Sequence, residues 1–217
     1  MIINSFRGEY GFLSNFYDCK VYYNGMTFKS SEAAYQAMKC CSKEEALSFQ
    51  GHTASEAKYH GQLVKLRPDW EQVKLQIMEE IVRAKFVQNV QLAKKLVATG
   101  DAELVEGNTW GDTYWGVDTR RKKGENHLGI ILMKLRSELA AVNVPQFVIR
   151  DKLIVDSQEM TYFVTAFSDE EEALAAFERK QNAASQSAYE LRREYPYGGS
   201  AVWDPQTSSW IATESHY

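Results

Sequence analysis

The chain has 217 residues, of which 44% are hydrophobic and 25% are charged, and its formal net charge is −4. These values are typical of a soluble globular protein with one domain, or with one domain and an appendage. No run approaches about 18 apolar residues and no basic region precedes an apolar run at the N-terminus, so we expect neither a membrane span nor a signal peptide. Three cysteines, two of them adjacent, do not suit a secreted disulfide framework, so we expect reduced thiols and a cytoplasmic protein.

The first clear structural signal is a turn between two short apolar runs. Asn24-Gly25 separates KVYY from MTF, and this dipeptide between such runs is a strong signal for a two-residue β-hairpin loop. Gly8, Gly11 and Asn15 interrupt the residues before it. We therefore expect turns followed by a hairpin before the first helix.

A helix is predicted over residues 30 to 41, and its polar residues share one face. Glu32, Gln36 and Lys39 fall on a single stripe at helical spacing. Glu32 lies in the first turn, where the positive end of the helix favours its carboxylate form. The stripe is therefore either a solvated face or a carboxylate, an amide and an ammonium group that face a pocket.

Three more helices are predicted before residue 89. Shorter ones cover residues 43 to 49 and 54 to 65, and a longer one starts at Asp69. Asp69 is a suitable N-cap, and Gln72 three residues later matches a capping box. Apolar residues then recur at helical spacing and define a core face.

Lys85 lies beside the apolar face of the longer helix. Its neighbours at helical spacing are Met78, Ile81 and Val82. A lysine in these surroundings either extends its amine to solvent along the apolar stem or is partly buried with a lowered pKa. Both interpretations stay open on the sequence alone.

A helix predicted over residues 89 to 98 stops at Gly100, and a strand is predicted over residues 102 to 106. A long loop follows this strand. The loop, Asn108 to Gly129, carries aromatic residues and the basic run Arg120 to Lys123. A loop of this length in a compact domain tends to be functional, because aromatic side chains can stack on a base and basic ones can bind phosphate. The alternative is an aromatic cluster with a solvated basic tip. A helix with an apolar face is predicted over residues 126 to 141.

The C-terminal part of the chain differs in charge and pattern. Val144-Pro145 suggests a boundary, and the net charge is +2 over residues 1–145 but −6 over residues 146–217. FVIR and MTYFVTAF predict strands, residues 168 to 195 predict an acidic helix, and residues 201 to 213 predict a hairpin that turns at Asp204-Pro205. We expect a small α+β appendage here.

Several kinds of chemistry lack their sequence signals. The four histidines show no metal-ligand spacing, and no nucleophile elbow, P-loop or dinucleotide-binding motif occurs. The remaining candidates are Glu32, Gln36, Lys39, Lys85 and Asp112. A carboxylate suits cleavage of a glycosidic bond through an oxocarbenium-like centre, and a lysine suits condensation with an opened sugar aldehyde.

Seven separated motifs in order make the chain resemble a known family. They are GFLSNF, SSEAAYQAMK, DWEQVKLQIM followed by AKF, LVATG, LVE, DTYWG and GENHLGIILMKLR. Together they resemble the NADAR family, over about residues 2 to 141. The resemblance implies an α+β fold: a compact, mostly helical domain with short strands over residues 1–143, here followed by a small acidic α+β extension over residues 146–217 without a recognised counterpart.

The resemblance also implies a metal-independent N-glycosidase without a cofactor. Some members cleave phosphoribosylaminopyrimidine intermediates of riboflavin synthesis, and others remove ADP-ribose from guanine bases. The expected partners are therefore a small ribose-phosphate or ADP-ribosyl compound, or ADP-ribosylated nucleic acid, and no membrane. Non-catalytic binding of NAD or ADP-ribose and a defence-related interaction protein are the alternatives.

Site residues follow by position in the motifs. The family's acidic residue falls on Glu32, its lysine on Lys85, and the aspartate and tryptophan of its D-x-x-WG motif on Asp112 and Trp115. We expect Glu32 to act as general acid or base, Lys85 to attack the opened ribose as a Schiff base, and Asp112 to hold ribose hydroxyls or help move the proton. Glu32 could instead polarise a ribose hydroxyl.

Further residues are expected to bind the substrate. They are Asn15, Phe16, Gln36, Lys39, Trp115, Gly116, Arg120 and Arg121. Phe16 and Trp115 would stack on the base, and the basic residues would bind phosphate. Two departures from the family pattern bear on the leaving group: Ala33 follows the SSE motif, and Asp118 with the basic run replaces a glycine-rich segment.

Overall fold

The computed structural model describes residues 1–142, 145–155, 158–183, 188–197 and 200–213. Two compact units divide the chain, Met1–Leu139 and Ala140–Tyr217. The first is mostly helical with short strands, and the second combines an antiparallel sheet with a helix. The predicted α+β class is therefore confirmed. Val144, half of the suggested boundary, lies outside the described residues.

The elements that begin in the first unit alternate short strands with helices. In chain order they are β1 (Ile2–Ile3), β2 (Val21–Tyr23), β3 (Met26–Phe28), α1 (Ser31–Ala37), α2 (Lys43–Leu47), α3 (Ala54–His60), α4 (Trp70–Gln88), α5 (Val90–Ala98), β4 (Glu103–Leu104), β5 (Gly107–Asn108), β6 (Val117–Asp118) and α6 (His127–Ala141). Residues Gly8–Leu13 and Ser48–Gly51 add two 3₁₀ helices.

The predicted hairpin is formed by β2 and β3. Tyr23 pairs with Met26, so the loop has two residues. Asn24 and Gly25 both have positive φ, 50° and 76°, which is the requirement of the turn whose twist matches the flanking strands. The sequence prediction is confirmed here.

Helix α1 is buried on all sides. Ser30 has extended backbone dihedrals and its hydroxyl accepts a hydrogen bond from the Ala33 amide, which caps the helix. Every residue from Ser31 to Ala37 is buried. The polar stripe that contains Glu32 and Gln36 is therefore no solvated face, and these two side chains need partners inside the protein.

Helix α4 supplies the core face that the apolar spacing predicts. Its buried residues include Ile77, Ile81 and Phe86. The predicted capping box at its start is wrong, because the Asp69 side chain makes no capping hydrogen bond. Its two carboxylate oxygens instead accept from the Arg67 guanidinium at 2.6 and 2.8 Å, a bidentate pair that uses the acceptors a cap would need.

Two pairs of short parallel strands hold the segment around residues 103 to 108 in place. β1 pairs with β4, and β5 pairs with β6. The Asn126 side chain accepts from the Glu106 amide at 3.0 Å and donates to the Leu104 carbonyl at 2.9 Å. The backbone around Glu106 is thereby held from both sides.

The second unit is a five-stranded antiparallel sheet with one helix. Its elements are β7 (Gln146–Val155), β8 (Gln158–Phe167), α7 (Glu170–Ala183), β9 (Ala188–Glu194), β10 (Ser200–Asp204) and β11 (Ser209–Thr213). The strand order is β11-β10-β9-β7-β8. Side chains of the sheet and α7 form its core, among them Phe147, Ile149, Phe177 and Leu191.

Two predictions for this unit have different outcomes. The hairpin at Asp204 is confirmed, since Asp204 pairs with Ser209. The acidic helix predicted over residues 168 to 195 is too long, because α7 ends at Ala183 and residues 188 to 194 form a strand. Leu191 is fully buried between the charged residues Glu190 and Arg192, an alternation with a period of two that favours a strand.

Candidate active site

The first unit contains a cavity of about 800 Å³ with charged and aromatic walls. Four acidic side chains and two basic ones line it. They are Asp18, Glu32, Glu106, Asp112, Arg7 and Lys58. Aromatic side chains from the loops and from α1 add flat apolar surface, and this mixture is typical of a ligand site.

Glu32 is held at the cavity wall by α1 and by two side chains. It is 5% exposed, and its Oε1 accepts from Gln36 Nε2 at 2.6 Å. Lys58 Nζ lies 3.6 Å from the same oxygen. The Glu32 amide donates to the Asn15 carbonyl at 3.0 Å, which ties the start of the helix to the loop before β2. Both side-chain partners point a donor or a positive charge at this oxygen and so orient the carboxylate.

Lys58 was not among the residues predicted from the sequence. It lies on α3, which packs against α1, and its side chain is 50% exposed. The helix begins with a capping box between Thr53 and Glu56, which fixes the start of the turn that carries Lys58. Contact between α1 and α3 is tertiary and leaves no local pattern that would identify this lysine.

Asn15 and Phe16 both line the cavity. Asn15 is buried, and its Nδ2 contacts the Met78 sulfur at 3.2 Å. Its Oδ1 is buried and has no hydrogen-bond partner among the described residues. Phe16 is 47% exposed, so its ring is available to a ligand.

The loop that carries Asp112 is organised by one buried asparagine. Asn108 Oδ1 accepts from the Gly111 and Asp112 amides, and its Nδ2 donates to the Asp112 carbonyl at 2.6 Å. Asp112 Oδ1 in turn accepts from the Tyr114 and Trp115 amides at 3.1 and 2.9 Å. One carboxylate oxygen of Asp112 thus shapes the turn, and the side chain also lines the cavity.

Two tryptophans of this loop line the cavity in different ways. Trp115 packs edge-on against Tyr35 and Tyr114, with centroid distances of 5.5 and 4.8 Å. Trp110, which the sequence analysis did not single out, is 62% exposed. Its ring is therefore freer than that of Trp115 to stack on a ligand.

Glu106 was also not selected from the sequence, although it ends the LVE motif. It lines the cavity, and its Oε2 is buried without a hydrogen-bond partner in the described part of the chain. Burial raises its pKa to about 7, and the negative charge of Asp112 acts in the same direction. The positive charges of Arg7 and Lys85 act against this rise.

Lys85 lies behind the cavity wall and is not part of it. Its side chain is 1% exposed, and its Nζ donates to the Ser14 carbonyl at 2.7 Å. Burial lowers its pKa to about 8. The sequence left open whether this amine extends to solvent or is buried with a lowered pKa, and the structure shows that it is buried. The amine contacts the backbone, and Lys85 is not among the residues that line the cavity.

Gln36 and Lys39 also lie outside the wall. Gln36 is buried and reaches the site only through Glu32. Lys39 Nζ lies 5.8 and 5.7 Å from the ring centroids of Tyr35 and Trp70, and burial lowers its pKa. These residues support the aromatic and acidic side chains that face the cavity.

The remaining predicted residues lie after the WG motif. Gly116 is buried, and a Cβ there would come within 2.1 Å of the Glu106 carbonyl oxygen, so only glycine fits. Arg120 and Arg121 are exposed and do not line the cavity. Their amides donate to the carboxylate of Asp118, which folds the basic run into a turn.

Two further kinds of site are absent from the described residues. Three or more histidine, cysteine or acidic side chains do not meet there in a group that could hold a metal ion. Within the same residues, no helix has the length and apolarity needed to cross a membrane.

Comparison with known proteins identifies the family. A family model described as the NADAR domain matches residues 4–140. The chain belongs to the NADAR domain family. The family recognised from the sequence motifs is thereby confirmed, and the cavity lies within the NADAR domain, since all its lining residues fall between Phe6 and Leu128.

Named relatives of the NADAR domain include enzymes. N-glycosidase YbiA of Escherichia coli is 39% identical over 144 residues, which cover 64% of this chain and 89% of YbiA. A riboflavin biosynthesis protein of Vibrio vulnificus is 40% identical over 153 residues, which cover 67% of this chain but only 41% of that protein. The NMR structure of YbiA superimposes with a TM-score of 0.58 at 36% identity and covers 64% of this chain and 86% of YbiA.

Proposed function

We propose that the NADAR domain hydrolyses the N-glycosidic bond of a ribose-phosphate compound. The observation that carries the proposal is the buried Glu32 carboxylate, oriented by Gln36 and Lys58 in a cavity that Asp112 also lines. Carboxylates that line one cavity suit a reaction whose transition state has positive charge on the sugar. The match to this chain covers 89% of N-glycosidase YbiA, and the name of that relative supports a hydrolase that acts on N-glycosyl compounds.

Several wall residues have a proposed role in this reaction. The Glu32 carboxylate stabilises the oxocarbenium-like ribose or takes a proton from the attacking group. Two oxygens accept hydrogen bonds from ribose hydroxyls: Asp112 Oδ2, which does not accept the two backbone amides, and Asn15 Oδ1, which has no partner among the described residues. Arg7, a basic residue of the wall, is the candidate to bind phosphate.

Two routes to the anomeric carbon fit these residues. In the first, a water molecule attacks directly. In the second, a lysine amine condenses with the opened ribose, and that amine must reach the cavity. Among the lysines that the structure describes, Lys58 is the one that lines the cavity, so we propose Lys58 for this role in place of Lys85.

Borohydride trapping with substrate separates the two routes. An adduct that persists in Lys85→Met and is lost in Lys58→Met assigns the second route. Absence of an adduct in the wild-type protein, under conditions of measurable turnover, assigns the first. An adduct that is lost only in Lys85→Met would contradict our proposal for Lys58.

Two substrate classes are proposed. One is ADP-ribosylated guanine, free or in nucleic acid, and the other is a phosphoribosylaminopyrimidine of the riboflavin pathway. The name of the Vibrio relative, a riboflavin biosynthesis protein, favours the second class, although this chain spans only 41% of that protein. Release of free base from each compound, measured by chromatography, decides between them.

The central test of the function is Glu32→Gln. We expect kcat to fall by roughly 10²–10⁴-fold with the circular dichroism spectrum unchanged, because the amide keeps the shape of the side chain but loses its charge. Glu44→Gln, in an exposed position of α2, is the matched control and should keep full activity.

Binding without turnover would support the alternative function. If calorimetry detects ADP-ribose binding while the wild-type protein releases no base from either compound, the domain is a reader and not a hydrolase. Full activity of Glu32→Gln in the base-release assay would instead show that another residue carries the reaction.

A further inference from the structure

Glu106 differs from Glu32 and Asp112, two other carboxylates of the cavity, in its surroundings. Glu32 has an amide donor at 2.6 Å and an ammonium group at 3.6 Å. Asp112 accepts two backbone amides on one oxygen. Each of these two carboxylates therefore has hydrogen-bond donors within the protein. By contrast, Glu106 Oε2 is buried and has no hydrogen-bond partner among the described residues.

The charges around Glu106 favour its neutral form on balance. Burial acts most strongly, Asp112 adds a nearby negative charge, and Arg7 and Lys85 oppose both from other segments. Together they raise the pKa of Glu106 to about 7, so a substantial fraction of this carboxyl group is protonated at neutral pH. When carboxyl groups in one cavity have environments that separate their protonation states, they can divide the acid and base roles of a reaction.

The backbone holds Glu106 firmly at the wall. Its amide donates to Asn126 Oδ1 at 3.0 Å, and its carbonyl accepts from the Val117 amide at 2.9 Å. Gly116 packs against it so closely that an added Cβ would lie 3.0 Å from Glu106 Cγ. A carboxylic acid whose backbone is fixed at the wall reaches the same part of the cavity in every turnover.

We propose that Glu106 is the general acid that protonates the leaving nitrogen of the substrate. This inference rests on the proposed N-glycosidase function. When the C1–N bond breaks, its electron pair moves to the nitrogen, which takes the proton of the Glu106 carboxyl group. The water that adds to C1 gives its proton to Glu32, which releases it to solvent, and Glu106 regains a proton from solvent. The net change is hydrolysis, and Glu106 serves both the direct route and the lysine route because the base must leave with a proton in each.

The first test is the pH dependence of kcat/KM in Glu106→Gln. Because a general acid must be protonated, wild-type kcat/KM should fall as pH rises through about 7. In Glu106→Gln we expect kcat to fall by roughly 10²–10⁴-fold and the loss above neutral pH to disappear from the residual activity. Glu106→Asp, which keeps an acid, should retain the pH-dependent fall. Glu103→Gln, three residues earlier and exposed, should match the wild-type protein.

The second test uses a leaving group that needs no proton. With 4-nitrophenyl ribofuranoside 5-phosphate, nitrophenolate leaves as an anion, so Glu106→Gln should lose much less activity than it loses with the N-glycoside. Equal losses on both substrates, or an unchanged pH profile in Glu106→Gln, would overturn the assignment. A wild-type protein that hydrolyses no N-glycoside would instead overturn the proposed function, and this inference with it.

Discussion

Lys85 has a structural role that the geometry explains. Its buried amine donates to the Ser14 carbonyl, and the next residue, Asn15, accepts from the Glu32 amide. Two hydrogen bonds thus connect α4 through the Ser14-Asn15 segment to the start of α1. We propose that Lys85 positions Glu32 without touching the substrate.

Lys85 also makes stability depend on pH in a predictable direction. Burial lowers its pKa to about 8 from an ordinary value of 10.5. Below about pH 8 the amine is charged in both states, and its burial lowers stability by a constant amount. Between about 8 and 10.5 the unfolded chain binds more protons than the folded one, so the free energy of unfolding rises with pH, by at most about 1.4 kcal/mol per pH unit.

The difference in unfolding free energy between the wild-type protein and Lys85→Met isolates this effect. We expect that difference to rise across this pH window in urea titrations, because the methionine cannot titrate. The exposed Lys43→Met should show no such change relative to the wild-type protein. A difference that stays constant with pH would show that the folded state does not alter the titration of Lys85.

At the scale of elements, the packing of α1 against α3 sets the geometry of the site. Gly61, directly after α3, lies against the Gln36 side chain, and an added Cβ would come within 2.0 Å of Gln36 Oε1 and 2.9 Å of its Cβ. Gln36 is buried and orients Glu32, so it has little room to move. The close approach of the two helices therefore requires glycine at this position.

Gly61→Ala should weaken both the fold and the activity. We expect a loss of about 1–3 kcal/mol in the free energy of unfolding from overpacking, together with a lower kcat because Gln36 is displaced from Glu32. Gly51→Ala is the control, since a Cβ there meets nothing within 4 Å and its φ is not positive. Wild-type kcat in Gly61→Ala would show that Gln36 is not needed to orient Glu32.

Local signals predicted the elements better than they predicted the site. The hairpin at Asn24-Gly25 and the apolar face of α4 depend on residues close in sequence, and both were found. The helix predicted beyond Ala183 failed because charged residues suit an exposed helix as well as the outer face of a strand. Family motifs led to Glu32 and Asp112, which share one cavity, and their catalytic roles stay predictions.

The residues that sequence reasoning missed depend on tertiary contacts. Lys58 lies near Glu32 because α3 packs on α1, and Trp110 borders the cavity because Asn108 folds the loop. The unusual protonation of Glu106 arises from burial and from Asp112, six residues later. Neither spacing nor composition reports on these contacts. The LVE motif was the one available signal for Glu106.

For the whole molecule, the cavity belongs to the first unit alone. Its lining residues lie between Phe6 and Leu128, and the family model ends at residue 140. The C-terminal extension carries a net charge of −6, against +2 for residues 1–145. We propose that residues 146–217 form a separate domain that takes no part in substrate binding, because its net negative charge would repel an anionic substrate.

Truncation after Val142 tests this division. We expect the shortened protein to keep the wild-type kcat/KM for base release, because every residue that lines the cavity is retained. Thermal unfolding should show whether the first unit folds cooperatively without the extension. A large loss of kcat/KM in a shortened protein that still folds would assign the extension a part in catalysis.

The contact between Lys85 and Ser14 has a consequence for mutational scanning of this family. A scan that reports only activity would mark position 85 as essential, as it would a covalent nucleophile, because loss of the amine releases the segment that anchors Glu32. Loss of function at this lysine is therefore no diagnosis of Schiff-base chemistry. Only a chemical readout, such as a trapped adduct, distinguishes an anchor from a nucleophile here.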